Sequence, residues 1–279
     1  MNLRIAGLIL MALLLSCGDE HYGTNNDDDD YIYPIESEPS LSPDHNYIYY
    51  ISTDTNYTQF TGIYRASIGA PIREPVLMGE GLHSPTIGSD NNTLAYLDSS
   101  RIMFYRISNA SSWPSEITRD FESIVLMDTS LILAQNNDSL FMVLGNEMQY
   151  FGPGWDPTIV TRDTFIYFVG NDSTYHIIKN NIFNILPETL FTYITKAWLH
   201  WPSLHQASGR LALDLGWHFQ DYIYSAESGE TSVTYIDSSE YSKPLIISFD
   251  QIIFTGPDGR FYVSPFNGAY SVPYVYVKE

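Results

Sequence analysis

One pattern returns six times along this chain. Each copy has a Pro (once a Ser), a short aliphatic or β-branched stretch, a polar turn and then a hydrophobic run. The copies begin at Pro39, Pro85, Ser123, Pro157, Pro202 and Pro244, 34 to 46 residues apart. Their hydrophobic runs are Ile48–Tyr50, Leu94–Tyr96, Leu131–Ala134, Phe165–Phe168, Leu211–Leu213 and Ile252–Phe254. A period of this length leaves room for about four short strands per unit. One such sheet cannot bury both faces by itself. Packing the sheets face to face around an axis buries them, and closing the ring hides the ends. The expectation is an all-β, six-bladed β-propeller with about four strands per blade.

Most units offer further strands. Third-strand candidates are Gly62–Ala66, Arg101–Ile107, Ser139–Leu144, Thr174–Lys179, Tyr222–Ser225 and Arg260–Ser264. Fourth-strand candidates are Pro75–Met78, Met148–Phe151, Ser232–Ile236 and Pro273–Val277. Period-two alternation is visible in places, as in Arg101–Ile107. Thr189–Leu199 comes nearest to a helical period but favours helix less than strand. The anchor Pro is expected at the first residue of the innermost strand, where its missing N–H costs least. Pro-Asp, Asp-Asn and Ser-Gly pairs supply the turn between the first two strands. The ring can close through Tyr31-Ile32-Tyr33 or through Tyr274–Val277.

Pro39, Ser42-Pro43-Asp44 and Ile48-Tyr49-Tyr50 together resemble the repeat of TolB-type, WD40-like propellers. That repeat reads approximately Pro-x-hydrophobic-Ser-Pro-Asp-Gly, a gap, then Ile-Ala-Phe. The resemblance covers residues 39 to 279 in six degenerate copies. Only the first retains Ser-Pro-Asp, with His45 at the glycine position. It implies a fold, and a binding role at the channel mouth. The matching residues are turns, so no binding residue carries over.

The N-terminus reads as an address. Arg4 precedes an apolar stretch, Ile5–Leu15, that is too short for an ordinary membrane-spanning helix. It ends in Leu14-Leu15-Ser16-Cys17, which resembles the bacterial lipoprotein signal, and Cys17 is the only cysteine in the chain. The resemblance implies a signal peptide over residues 1–16 and lipidation (palmitate included) at Cys17. It also implies a cell-envelope protein held by lipid at the outer membrane, on the periplasmic face or at the cell surface. Residues 17–38, with the run Asp27–Asp30, read as an acidic disordered tether, and 39–279 as the propeller. The four-Asp run lacks the ligand spacing of a calcium loop.

The balance of 33 acidic to 13 basic residues, a formal net charge of −20, argues against nucleic acid as a partner. No catalytic, phosphate-loop or dinucleotide motif appears, and no cofactor is expected. Asp44, Asp90, Asp128, Asp163 and Asp250 occupy turn positions and read as turn caps rather than catalytic acids. His200, His205 and His218 cluster in sequence near Asp214 and Asp221, but at no metal-ligand spacing. No metal site is expected.

Residues beside the anchors are placed to line a funnel mouth. They are Glu38, Ser84, Glu122, Trp155 with Asp156, His200 with Trp201, and Lys243. Trp198, Trp201 and Trp217 make the same region the aromatic focus, although such rings also serve as packing between blades. The expected function is a non-enzymatic, lipid-anchored module that binds a protein or peptide. The alternative is a propeller hydrolase acting on glycans through Glu122 or Asp156.

Overall fold

The computed structural model describes residues 35–53, 61–69, 72–171, 173–183, 186–194, 198–217, 220–227, 234–239, 243–256, 258–265 and 274–275. Cys17, the tether up to residue 34, Tyr31-Ile32-Tyr33, His218 and Phe219 lie outside them. No helix among the described residues is long and apolar enough to cross a membrane.

The strands form six four-stranded antiparallel sheets, each in chain order. The first holds β1 (Ile35–Leu41), β2 (Tyr47–Thr53), β3 (Gly62–Ser67) and β4 (Arg73–Met78). The second holds β5 (Leu82–Ile87), β6 (Thr93–Asp98), β7 (Arg101–Arg106) and β8 (Ser111–Pro114). The third holds β9 (Ser123–Leu126), β10 (Leu131–Asn136), β11 (Ser139–Leu144) and β12 (Glu147–Pro153). The fourth holds β13 (Trp155–Thr161), β14 (Thr164–Asn171), β15 (Thr174–Asn181) and β16 (Glu188–Ile194). The fifth holds β17 (Trp198–His205), β18 (Arg210–Trp217), β19 (Gln220–Glu227) and β20 (Thr234–Ser239). The sixth holds β21 (Leu245–Ser248), β22 (Gln251–Thr255), β23 (Phe261–Pro265) and β24 (Tyr274–Val275).

Alternation along each strand explains the ring. In β2, Ile48 and Tyr50 pack with Leu245, Ile253 and Phe261 of the sixth sheet, while Tyr49 and Ile51 pack with Ile87, Leu94 and Tyr96 of the second. Side chains of a strand point alternately to its two faces, so one strand serves two interfaces. The other clusters repeat the rule. They join the second and third sheets through Leu97 and Leu126, and the third and fourth through Leu133 and Phe165. They join the fourth and fifth through Phe168 and Leu213, and the fifth and sixth through Ala212 and Phe254. Each first strand also contacts the first strand of the next sheet, and β1 contacts β21. The arrangement is a β-propeller, and its first strands surround the axis.

Two sequence expectations change, and the reading of Thr189–Leu199 as less helix than strand does not. The acidic stretch does not stay a tether to residue 38, because Ile35–Leu41 is one strand, paired from Ile35↔Thr53 onward. The alternation of Ile35 and Ser37 with a buried Glu36 lets that segment pair once a partner strand is present. Thr189–Leu199 contains no helix among its described residues; Glu188–Ile194 is the outer strand β16, rich in Thr and aromatics, which suit an edge. The anchor prolines also do not begin their strands. Pro39, Pro85, Pro157 and Pro202 lie inside β1, β5, β13 and β17.

The sheet tolerates them by a bulge. The ladder slips between Ser37 and Ser40, His83 and Thr86, Trp155 and Thr158, and His200 and Ser203. The residue before each of these prolines, Glu38, Ser84, Asp156 or Trp201, has φ between 47° and 53°. A proline has no N–H for the ladder, so the extra residue is accommodated as a bulge. The left-handed conformation costs a non-glycine residue about 1–2 kcal/mol. The third sheet, whose anchor is Ser123, shows no slip in the same pair.

The sixth sheet takes its fourth strand from the C-terminal side, through Tyr262↔Val275 and Val263↔Tyr274. The seam with the first sheet is tied by Glu36. Its N–H donates to the Gly259 carbonyl (2.6 Å), its carbonyl accepts from Thr255 Oγ1 (2.8 Å), and its Oε2 accepts from the Phe261 N–H (2.8 Å). Glu36 is only 4% exposed. Burial pushes its carboxyl up to about 7, against the pull of the Phe261 N–H, Arg73 and Arg260. The buried Tyr50 hydroxyl nearby has no hydrogen-bond partner among the described residues.

Candidate functional site

Each first strand runs from an anchor end to a turn end. The two ends use their polar residues differently. At the turn end the repeated Asp closes its own turn. Asp44 Oδ1 accepts from Ser42 Oγ (2.6 Å) and the Asn46 N–H (3.1 Å), while the Tyr47 N–H reaches Ser42 Oγ (2.9 Å). Burial opposes ionisation of Asp44, but these bonds hold it below the usual carboxylate range. Asp90 accepts from the Asn92 and Thr93 amides, Asp163 from Thr161 Oγ1, and Asp250 from Ser248 Oγ. Asp128 reaches further, taking Ser89 Oγ at 2.5 Å and Arg162 at 2.8 Å from the turns on either side. The Ser89 hydroxyl, Arg162 and the Thr129 amide hold it at about 2.

At the anchor end the acceptors reach across sheets. The Glu38 carboxylate accepts the N–H of Ser84 in the second sheet. Gln135 Oε1, in the third, accepts the Asp156 N–H (2.7 Å) from the fourth, and also Ser123 Oγ (2.9 Å). Gln135 Nε2 in turn donates to Glu122 Oε2 at 3.3 Å. Asp156 Oδ2 accepts the Trp201 N–H (3.2 Å) from the fifth sheet and lies 2.8 Å from His200 Nδ1. Three of the four left-handed residues before the anchors thus have their N–H taken by the preceding sheet. The bulge turns that N–H out of its own ladder, where a buried donor needs another partner.

Between the third, fourth and fifth sheets this network borders a cavity of about 640 Å³. Of the eight expected mouth residues, Glu122, Trp155, Asp156 and His200 line it. Glu38, Ser84, Trp201 and Lys243 do not. Trp201 lies beside His200, with ring centroids 5.5 Å apart, and Lys243 lines a second, axial cavity. Trp155 is fixed by packing: it stacks on Phe168, meets Tyr175 edge to face, and donates from Nε1 to the Leu199 carbonyl at 3.1 Å. Sequence reasoning missed Gln135, Asp138 and Tyr175. Gln135 carried one signal, a polar residue closing the apolar run Leu131–Ala134, and it is only 7% exposed.

His200 and His205 do not converge, and His218 lies outside the described residues. His200 sits at the mouth, while His205 lines the axial cavity and bonds Ser208 Oγ through Nδ1 (2.8 Å). No group of three or more His, Cys, Asp or Glu among the described residues is placed to hold a metal ion.

No protein-family model matches the sequence, and no curated protein matches it. Solved structures do. TolB from Acinetobacter baumannii superposes with a TM-score of 0.55 at 14% identity, over 75% of this chain and 55% of that one. The β-propeller domain of Cps50 (Swd1) from Myceliophteria thermophila gives 0.55 at 7% identity, over 82% of this chain and 96% of the other. A chain of a nidogen/laminin complex gives 0.54 at 10% identity, over 84% and 89%. At these identities the likeness is one of fold: a β-propeller like that of TolB. This chain matches little more than half of the TolB structure's length.

Proposed function

We propose that this chain is a lipid-anchored envelope protein whose six-bladed propeller binds a basic peptide segment at the anchor-end cavity, without catalysing a reaction. The observation that carries the binding reading is the lining of that cavity. It combines Glu122, Asp138 and Asp156 with the Trp155 and Tyr175 rings, and it includes no Lys or Arg among the described residues. Carboxylates beside aromatic rings suit a Lys or Arg side chain, through charge and through the ring faces. The lipid anchor rests on the Ser16-Cys17 signal, and the fold it shares with TolB supports an envelope location.

Glycan hydrolysis is the weaker reading. Asp156 already accepts from Trp201 and pairs with His200, and Glu122 is bonded to Gln135. Asp156 is thereby committed to the network that joins the sheets, while the exposed Glu122 is tied only within its own sheet, so the two do not form a free pair.

The test is titration of the purified full chain with an arginine-rich peptide, read by tryptophan fluorescence. Glu122→Lys with Asp138→Lys, both exposed positions, should weaken binding by about tenfold or more and leave the thermal midpoint in place. Unchanged affinity sinks the reading. Separately, Cys17→Ser should move the protein from the membrane to the soluble fraction; if it stays with the membrane, the lipid anchor is wrong.

A further inference from the structure

The axial cavity is a second site of opposite character. It measures about 360 Å³ and is lined by first strands of all six sheets, from the anchors toward the turns. That volume is within the range of small-ligand pockets, roughly 300–1,000 Å³. The chain carries 33 acidic residues, yet among the described residues no Asp or Glu lines this cavity. The turn carboxylates near its far end do not line it but bond to residues of its rim: Asp44 to Ser42 and also to Asn46, Asp163 to Thr161, and Asp128 to Arg162.

Its polar side chains are mostly hydroxyls, with Lys243, Gln206, two histidines and Arg162, which is paired with Asp128. Thr86 and Ser203, each 3% exposed, take the same place in their sheets, directly after the anchor proline. Thr86 Oγ1 accepts the Leu126 N–H (3.1 Å) and Ser203 Oγ accepts the Ile246 N–H (3.0 Å). A hydroxyl that accepts still has one proton to give. Ser40 and Thr158 occupy the corresponding place in the first and fourth sheets and also line the cavity. Lys243 contributes an ammonium group with no carboxylate partner among the described residues, and His45 and His205 stand at the turn end.

Set in apolar walls that include Leu41, Ile124, Val125, Leu204 and Ile246, these hydroxyl protons and the ammonium, with no carboxylate among the described lining residues, are complementary to an acceptor-rich anion. We propose that the axial cavity binds a small carboxylate, held by Lys243 and by the ring of hydroxyls after the anchors. This is independent of the peptide reading at the mouth, because the two linings share no residue.

Isothermal titration of the full chain with citrate, with tri-alanine and with tri-alanine amide tests it. Saturable binding of citrate alone identifies a free small acid; binding of tri-alanine but not of its amide identifies a peptide C-terminus. In either case Lys243→Gln should weaken binding about tenfold and Thr158→Val about threefold, each without moving the thermal midpoint. The mouth variant Glu122→Lys with Asp138→Lys should leave it unchanged. The proposal is overturned if neither citrate nor tri-alanine binds saturably, if both cavity variants bind as tightly as the parent chain, or if the mouth variant alone removes binding.

Discussion

At the anchor end of the ring, Glu36, Glu38 and Asp156 accept N–H groups from a neighbouring sheet, across 45 to 225 residues of chain. At the turn end, Asp44, Asp90 and Asp163 accept from groups two or three residues away. The same residue type recurs with the same repeat and does two jobs. One set fixes the geometry of a hairpin, and the other fixes one sheet against the next. The local bonds are partly exposed and compete with water; the cross-sheet bonds are more buried and leave a stranded donor when cut.

The contrast can be tested by substitution, beginning where the effect is largest. Glu36 is buried at the seam with its carboxyl pushed up to about 7 from 4.5. Between those values the unfolded chain has lost this proton and the folded chain keeps it. Stability therefore falls as pH rises through that window and levels off above it. A shift of this size corresponds to about 3 kcal/mol. Glu36→Gln, which keeps an acceptor for the Phe261 N–H, should be more stable than the parent by that order at pH 8 and equal to it near pH 4. Denaturant melts across pH check this, and parallel curves for the two proteins would break the contrast at its strongest point.

Asp156→Ala comes next. It removes the acceptor for Trp201 N–H and His200 and should cost about 2 kcal/mol, measured by urea unfolding. Asp44→Ala, the turn-end counterpart, should cost only about 0.5–1 kcal/mol, because water replaces the exposed bonds. Equal losses at the two sites would erase the distinction. Smallest of all, His45→Gly relieves a residue held at φ 57° and should stabilise by about 0.5 kcal/mol, the left-handed penalty exceeding the entropy of the added glycine. A loss in the thermal melt would mean that the His45 side chain contributes to the turn.

This division also decides what could be read from the chain. Five of the six anchors, the second-strand runs and, to within a residue, all six third-strand candidates fall on observed strands, since hydrophobic alternation and turn residues are local signals. Ser111–Pro114 escaped because Ser-Ser-Trp-Pro has no apolar alternation; only its pairing with β7 makes it a strand. The repeat register put Glu122, Trp155, Asp156 and His200 next to the anchors, and these four line one cavity between three sheets. That Lys243 would line a different cavity could not be read from it, since side-chain reach is not written in spacing. Nor could the left-handed turn at Glu38, Ser84, Asp156 and Trp201, because a non-glycine residue before proline carries no signature of it. Glu36 was hidden for a similar reason. In sequence it belongs to a run of acids, and its role exists only once residues 255 to 261 are beside it.

That last pairing has a consequence in time. Most of the sheet ladders join residues close in the chain, so each sheet can assemble as it leaves the ribosome. The seam cannot. Glu36 is among the earliest residues of the ring to be made, and Phe261 among the last. Until Phe261 arrives, the outer face of Ile48 and Tyr50 stays open to water. Closing so long a loop is entropically the hardest contact in the molecule, and it comes at the end. A chain stopped short of residue 261 would carry well-made sheets and an uncovered apolar flank. The seam thus separates a finished ring from a truncated one by the apolar surface it covers.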